Sequence, residues 1–135
     1  MWKRILAVII GMVVGGAVVG LIETLGHLIF PVDESLTSTP QGIKTYLETA
    51  PFGALAFLPL AWFFGAFSGA FVSTLIQPER KGIAIIIVIS ILLIATTFNF
   101  IFIPHPTWVL TAGVLVHPLA GVLAVLLTKA KLNKN

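Results

Sequence analysis

The chain has 135 residues, of which 58% are hydrophobic and only 10% are charged. Soluble domains carry about 25% charged residues, so the composition excludes an ordinary soluble fold. The net charge of +3 comes from bases in short clusters beside long apolar runs, which favours a membrane protein over a nucleic-acid-binding one. The chain has no cysteine, which excludes disulfides and thiolate metal sites.

Four apolar runs are long enough to cross a bilayer, for which about 20 residues suffice. They cover residues 5–30, 51–76, 83–103 and 107–128. The alternation of a barrel strand is missing, so these runs are expected to be helices. The first run is too long for a signal peptide, and we expect it to be retained. The sequence therefore predicts an all-α membrane protein: a single domain folded as an antiparallel bundle of four transmembrane helices.

The basic residues predict the orientation of this bundle. Lys44 lies in the polar loop 32–50, and the other seven lie at the opposite end: Lys3, Arg4, Arg80, Lys81, Lys129, Lys131 and Lys134. Lys and Arg accumulate in cytoplasmic loops. Both termini are therefore expected in the cytoplasm and loop 32–50 outside. The expected location is the plasma membrane, which would be the inner membrane in a Gram-negative bacterium.

Glu23 lies within the first apolar run, where an ionised carboxylate is costly unless it is paired, hydrated or neutralised. Two interpretations stay open. Glu23 is either a proton-coupling or cation-binding group, or a neutral carboxyl group that hydrogen-bonds across helices and holds the bundle together. His27 is four residues later, on the same helical face. The two side chains could share a proton, but they are too few to specify a metal site, and no metal or cofactor is predicted.

Small residues mark the predicted helix contacts. Gly16 and Gly20 continue the face of Glu23 and His27, and this spacing is typical of a helix-packing seam, since glycine allows two backbones to approach closely. Gly11 and Gly15 form a second such pattern in the same span. The residues predicted to pack against other helices are Gly16, Gly20, Gly65, Gly69, Gly113 and Gly121.

The later spans contribute two further polar candidates. Asn99 is expected at about the depth of Glu23. His117 lies mid-span, and the following Pro118 removes an internal helix hydrogen bond. Each residue could simply bond a neighbouring helix, but convergence of Glu23, Asn99 and His117, with His27 nearby, is the best hypothesis for a polar site. His105, between two prolines, is expected to be an exposed loop residue.

The layout resembles that of the small multidrug resistance transporters, which share this size, four helices and one glutamate in the first. Glu23 lies nearer the end of a longer first helix than the glutamate of that family does, and loop 32–50 has no counterpart in its compact pattern. No motif of that family is present, so the resemblance does not assign the chain to it.

The leading functional expectation is a small proton- or cation-linked transport or permeation protein that works as an oligomer. The alternative is a structural or accessory membrane subunit with no transport pathway. No nucleophile elbow, phosphate-binding loop or zinc-protease signature is present, so no enzymatic activity is predicted. The expected partners are the lipid bilayer and either further copies of the chain or a membrane partner subunit, without nucleic acid.

Overall fold

The computed structural model describes residues 2–77 and 81–132, and every regular element in these ranges is a helix. The elements are α1 (Trp2–Ile29), α2 (Glu34–Thr37), α3 (Pro40–Thr49), α4 (Phe52–Ile76), α5 (Lys81–Phe102) and α6 (Thr107–Leu132). The helices α1, α4, α5 and α6 are long and apolar enough to cross a membrane. This confirms the predicted all-α class and a multi-pass membrane protein. Arg80 and Lys134, used to predict the orientation, lie outside the described residues.

Helix α4 is the centre of the fold, since its contacts with α1 and α6 are the most extensive between the described helices. Its contact with α1 is close enough to exclude side chains. A Cβ atom on Gly11 would lie 2.7 Å from the Gly69 carbonyl oxygen, and one on Gly15 would lie 2.9 Å from that of Gly65. We call this contact, made by Gly11, Gly15, Gly65 and Gly69, the glycine seam. Because all four residues lack a Cβ atom, the two backbones touch directly.

Gly16 and Gly20, which the sequence predicts to pack against another helix, pack against none within this chain. A Cβ atom on either residue would meet nothing within 4 Å in the chain. The physical reason is the helical period: Gly11 and Gly15 lie on one side of α1, and a step from Gly15 to Gly16 turns about 100° away from it. The chain therefore packs through the other glycine pattern of α1 and leaves Gly16 and Gly20 uncovered.

Helix α6 packs on α4 and α5 through its own glycines. A Cβ atom on Gly113 would lie 2.7 Å from the Phe100 ring and 2.8 Å from the Trp62 ring, and one on Gly121 would lie 3.1 Å from Ile89. At the start of α4 and α6 the rings of Phe52 and Trp108 stack with centroids 4.8 Å apart. The starts of these two helices therefore lie at the same end of the molecule.

Two short helices occupy the polar loop 32–50. The Thr39 side chain accepts a hydrogen bond from the Gly42 backbone N–H at 3.1 Å, and Pro40 takes the first position of α3, where its missing N–H costs nothing. The buried Leu47 then packs in a cluster with Leu55, Trp62 and Val109. Helix α3 thus lies over the ends of α4 and α6. We call this the connector end, and the opposite one, where α1 begins and α6 finishes, the termini end.

Helix α2 is capped by an acidic side chain. The Asp33 carboxylate accepts a hydrogen bond from the Ser35 backbone N–H at 2.9 Å. The hydrogen bonds from Ser35 stabilise the charged form and lower the pKa of Asp33 below its usual value. Asp33 therefore stays ionised at the connector end.

Candidate intramembrane site

Two cavities adjoin Glu23. The first, which we call the midspan cavity, has a volume of about 290 Å³, and its lining includes Gly16, Glu23, Trp62, Thr96, Asn99 and His117. The second, the connector cavity, has about 250 Å³ and is lined by residues that include Glu23, His27, Thr37, Tyr46, Asn99 and His105. Glu23 and Asn99 line both cavities. Glu23 and Asn99 therefore lie between the midspan cavity and the connector cavity.

The Glu23 side chain is half-buried and has a cavity on either side. Within the part of the chain that the structure describes, no side chain or backbone group hydrogen-bonds to its carboxyl group, and the one ion pair is Lys44–Glu48 on the exposed face of α3. His27 is one turn further along α1 and exposed, and it also lines the connector cavity. Glu23 is thus available to a proton, water or cation rather than committed to a protein partner.

His117 has both ring nitrogens occupied. Its Nδ1 atom lies 2.6 Å from the Gly113 carbonyl oxygen, which can only accept, so Nδ1 carries the proton. Its Nε2 atom then accepts from the Thr96 hydroxyl group at 3.3 Å. The ring is 1% exposed. These contacts join α5 to α6 and leave neither ring nitrogen free for a ligand.

Asn99 contrasts with His117. It projects from the last two turns of α5, lines both cavities and remains exposed. Its amide carries two N–H donors and a carbonyl acceptor. The structure thus brings Glu23, Asn99 and His117 around the midspan cavity, and Glu23, His27 and Asn99 around the connector cavity, with only His117 satisfied by the protein itself.

The expectation for His105 was wrong in its exposure. His105 is half-buried against the rings of Trp62 and Phe100, with centroids 6.2 and 5.4 Å away. Its Nδ1–H donates to the Ile103 carbonyl oxygen at 2.8 Å. Burial lowers its pKa below the usual value, against the opposing effect of that hydrogen bond. No pattern in the sequence distinguishes a buried histidine between two prolines from an exposed one.

Two polar lining residues of the connector cavity, Thr37 and Tyr46, were missed by sequence reasoning because no helix was predicted in the loop 32–50. Thr37 ends α2, and Tyr46 lies on the inner face of α3. Burial raises the pKa of Tyr46, which keeps the phenol protonated. A signal was present: Thr39-Pro40 is a helix start, and Ile43, Tyr46, Leu47 and Ala50 have helical spacing.

The chemistry around Glu23 suits a small positively charged species. A carboxyl group and an amide oxygen are hard donors of the kind that bind cations, and both cavities hold more than one water by volume. Within residues 2–77 and 81–132, no group of three or more histidine, aspartate or glutamate residues could hold a metal ion. The arrangement is therefore that of a single carboxyl group in a partly polar pocket.

Comparison of the chain with protein-family models, with curated proteins and with solved structures finds no match. The function proposed for this site therefore rests on its geometry.

Proposed function

We propose that this chain is a small proton- or cation-linked transport or permeation protein of the plasma membrane, with Glu23 as the group that binds the proton or cation. The observation that carries the proposal is the position of Glu23: half-buried, lining both cavities and unbonded to any described residue. A carboxyl group with only a structural role would be expected to have a protein partner. Asn99 supplies the second polar group of the site.

The orientation belongs to the same proposal. The four long helices form an antiparallel bundle with both termini in the cytoplasm, which the distribution of Lys and Arg supports. The connector cavity then faces the exterior. Single cysteines at Ser38 and Asn133 test this in a chain with no cysteine of its own. A membrane-impermeant thiol reagent applied outside should label the first and not the second, and labelling of both from one side would refute the orientation.

A pathway through the molecule needs a second opening toward the cytoplasm. At the termini end the glycine seam is backed by Ser73 and Val88, which would lie 3.2 and 3.3 Å from a Cβ atom on Gly11. Helices α1, α4 and α5 are therefore closely packed around Gly11 at that end. We therefore propose that Glu23 exchanges its ligand with the exterior in the conformation described, and that movement along the seam is required for release to the other side.

The substitution Glu23→Gln tests the proposal most directly, because it keeps shape and hydrogen bonding but removes titration. In proteoliposomes with a trapped pH dye, we expect the variant to insert normally and to lose proton- or cation-dependent flux. Glu48→Gln, on the exposed face of α3, is the matched control and should leave the flux unchanged. Full flux in Glu23→Gln would refute a transport role for this carboxyl group.

The alternative function, a structural or accessory subunit, is favoured by a different observation. His117 and Thr96 form a closed polar contact between α5 and α6, as expected of a residue that only holds helices together. If Glu23 has the same role in contact with a partner subunit, Glu23→Gln should be silent. Glu23→Ala should then weaken the assembly by about 1–3 kcal/mol, because it leaves the partner group unsatisfied.

The proposal includes assembly of several copies, since one chain of four helices encloses little volume. The uncovered edge of Gly16 and Gly20 supports it. Gly20→Cys should form a disulfide-linked dimer under mild oxidation in native membranes. Leu115→Cys, at a similar depth on α6 and with Leu115 55% exposed, is the matched control and should not. Cross-linking of Leu115→Cys instead would place the contact on α6, and no cross-linking of either would refute a dimer through α1.

A further inference from the structure

An apolar groove lies between α5 and α6, far from Glu23. Its volume is about 400 Å³, and among the described residues that line it Ser90 alone has a polar side chain. Its walls remain open: Ile86 is 65% exposed, and Val122 and Leu126 are each 58% exposed. Because both helices are long and apolar enough to cross a membrane, the groove opens toward the hydrocarbon of the bilayer.

Small residues create this groove. Gly121 brings α6 close to α5, since a Cβ atom there would lie 3.1 Å from Ile89. Gly82 lines the groove in the first turn of α5, and a Cβ atom on it would meet nothing within 4 Å. From Gly82 to Ser90 the lined stretch of α5 measures about 12 Å at 1.5 Å per residue. The groove is therefore a slot that starts at the termini end and runs toward mid-membrane.

Two lysines occupy helix positions next to the lining residues at the open end of this slot. Lys81 immediately precedes Gly82, and Lys129 is three residues beyond Leu126 and four beyond Val125, which is the spacing of neighbours on one helical side. The open end of an apolar slot thus lies between two positions that carry positive charge. This combination is complementary to an amphiphile with an apolar chain and an anionic head.

A chain in the groove gains little by leaving bulk lipid, because both surroundings are apolar. The groove can position a chain, but preference for one lipid must come from its head. Positive charge near the membrane surface attracts anionic lipid, with an effect of about fivefold in affinity for each lysine, which corresponds to about 1 kcal/mol. A zwitterionic lipid has no net charge to match.

We propose that this groove binds one acyl chain of an anionic phospholipid, with the phosphate head at the mouth beside Lys81 and Lys129. The site is separate from Glu23, so it stands or falls independently of the proposed transport function. The chain would then bind one anionic phospholipid molecule at the α5–α6 pair, in addition to the general solvation of its apolar surface by lipid.

Native mass spectrometry of the full chain released from mixed phosphatidylglycerol and phosphatidylcholine bilayers tests the acyl part of the site. The unmodified chain should retain phosphatidylglycerol preferentially. Val122→Trp should abolish this retention by filling the groove. Val114→Trp is the matched control, because Val114 is on the same helix and 48% exposed but does not line the groove, and it should retain the lipid.

The same measurement tests binding of the phosphate head when the positive charges of the two lysines are removed. Lys81→Gln combined with Lys129→Gln should lower the preference for phosphatidylglycerol by roughly 25-fold, at about fivefold for each lysine. Lys44→Gln, at the connector end, should leave it unchanged. The proposal is overturned if both lipids are retained equally, if Val114→Trp displaces lipid as well as Val122→Trp does, if the double lysine variant keeps its preference, or if Val122→Trp changes the mass of a protein oligomer instead of the bound lipid.

Discussion

Helix α1 presents two sides that differ sharply although both are apolar in composition. Toward α4, Gly11 and Gly15 meet Gly69 and Gly65 backbone to backbone. Away from this seam, Gly16 and Gly20 meet nothing within 4 Å, and Glu23 borders two cavities that it shares with Asn99 of α5. One side of the helix fixes the fold, and the other leaves room for ligand, water or a second chain.

This difference between the two sides of α1 explains how the protein can tolerate a carboxyl group within an apolar helix, where such a group is energetically unfavourable. Apolar burial cannot drive helix association within lipid, so stability must come from close packing and hydrogen bonds. The glycine seam and the His117–Thr96 contact supply both without a hydrogen bond to Glu23. The open side of α1 is then not needed to hold the helices together, and Glu23 on that side remains available for function.

The largest expected effect comes from closing the glycine seam with a methyl group. In Gly69→Ala the new Cβ atom would lie 2.7 Å from the Gly11 carbonyl oxygen, which belongs to backbone and cannot move aside. We expect the free energy of unfolding, measured by denaturing-detergent titration in micelles, to fall by about 3 kcal/mol. Gly16→Ala, on the open side, should be neutral or stabilising by up to about 1 kcal/mol. Equal losses in the two variants would remove the distinction between the sides.

Substitution of the hydrogen-bonded His117 should lower stability more than substitution of Asn99, which lines the cavities without such a bond to any described residue. His117→Ala leaves a cavity and an unpaired Thr96 hydroxyl group, and we expect a loss of about 2 kcal/mol in the same titration. Thr96→Val should cost about 1 kcal/mol, and the double variant should cost less than the sum because the two residues interact. Asn99→Ala is the control on the open side and should change stability little. Strictly additive losses would show that the His117–Thr96 hydrogen bond contributes nothing.

Helix α3 lines the connector cavity, and the Thr39 side chain caps its N-terminus. Thr39→Ala removes the acceptor for the Gly42 N–H, which should destabilise α3 by about 1 kcal/mol. Amide hydrogen exchange in α3 should accelerate, while exchange along the glycine seam stays slow. Thr45→Ala is the control, since the Thr45 hydroxyl group only bonds the Gln41 carbonyl oxygen within α3. Unchanged exchange in Thr39→Ala would mean that α3 is held by Leu47 alone.

The smallest effect expected is the pH dependence contributed by His105. Its folded-state pKa is lowered by burial, so the native state binds the proton less readily than the unfolded chain. The stabilising contribution is complete above the unfolded value of about 6.5 and is lost as the pH falls from there through the folded pKa. His105→Asn keeps a donor for the Ile103 carbonyl oxygen and should flatten this part of the curve. An identical pH profile for both proteins would show that His105 is solvated.

The four apolar helices could be predicted because length and hydropathy alone determine them. The side on which α1 packs could not. Gly11–Gly15 and Gly16–Gly20 are equivalent patterns in a stretch of α1 that is apolar on every side, and the glycines of α4 distinguish them. In a soluble protein the polar face would have identified the packing side, but in lipid that contrast is absent.

Part of the candidate site could be predicted from the sequence, but the hydrogen bonds of its residues could not. Glu23, Asn99 and His117 are conspicuous because polar residues are rare in these spans, and depth along each helix suggested that they meet. Whether each is satisfied was not predictable, because the His117–Thr96 contact depends on the register of α5 against α6. The helix α3 was predictable from the Thr39-Pro40 cap but is obscured by the overall polarity of its segment.

The glycine seam has a consequence for biogenesis. Its two helices, α1 and α4, precede α5 and α6 in the chain, so this backbone-to-backbone contact joins segments that are synthesised before them. A hairpin of these two spans can pair in the membrane while the ribosome is still translating. Asn99 and the His117–Thr96 contact arrive only with the later spans. The glycine seam can therefore form first, and the pocket around Glu23 is complete only when α5 and α6 have been synthesised.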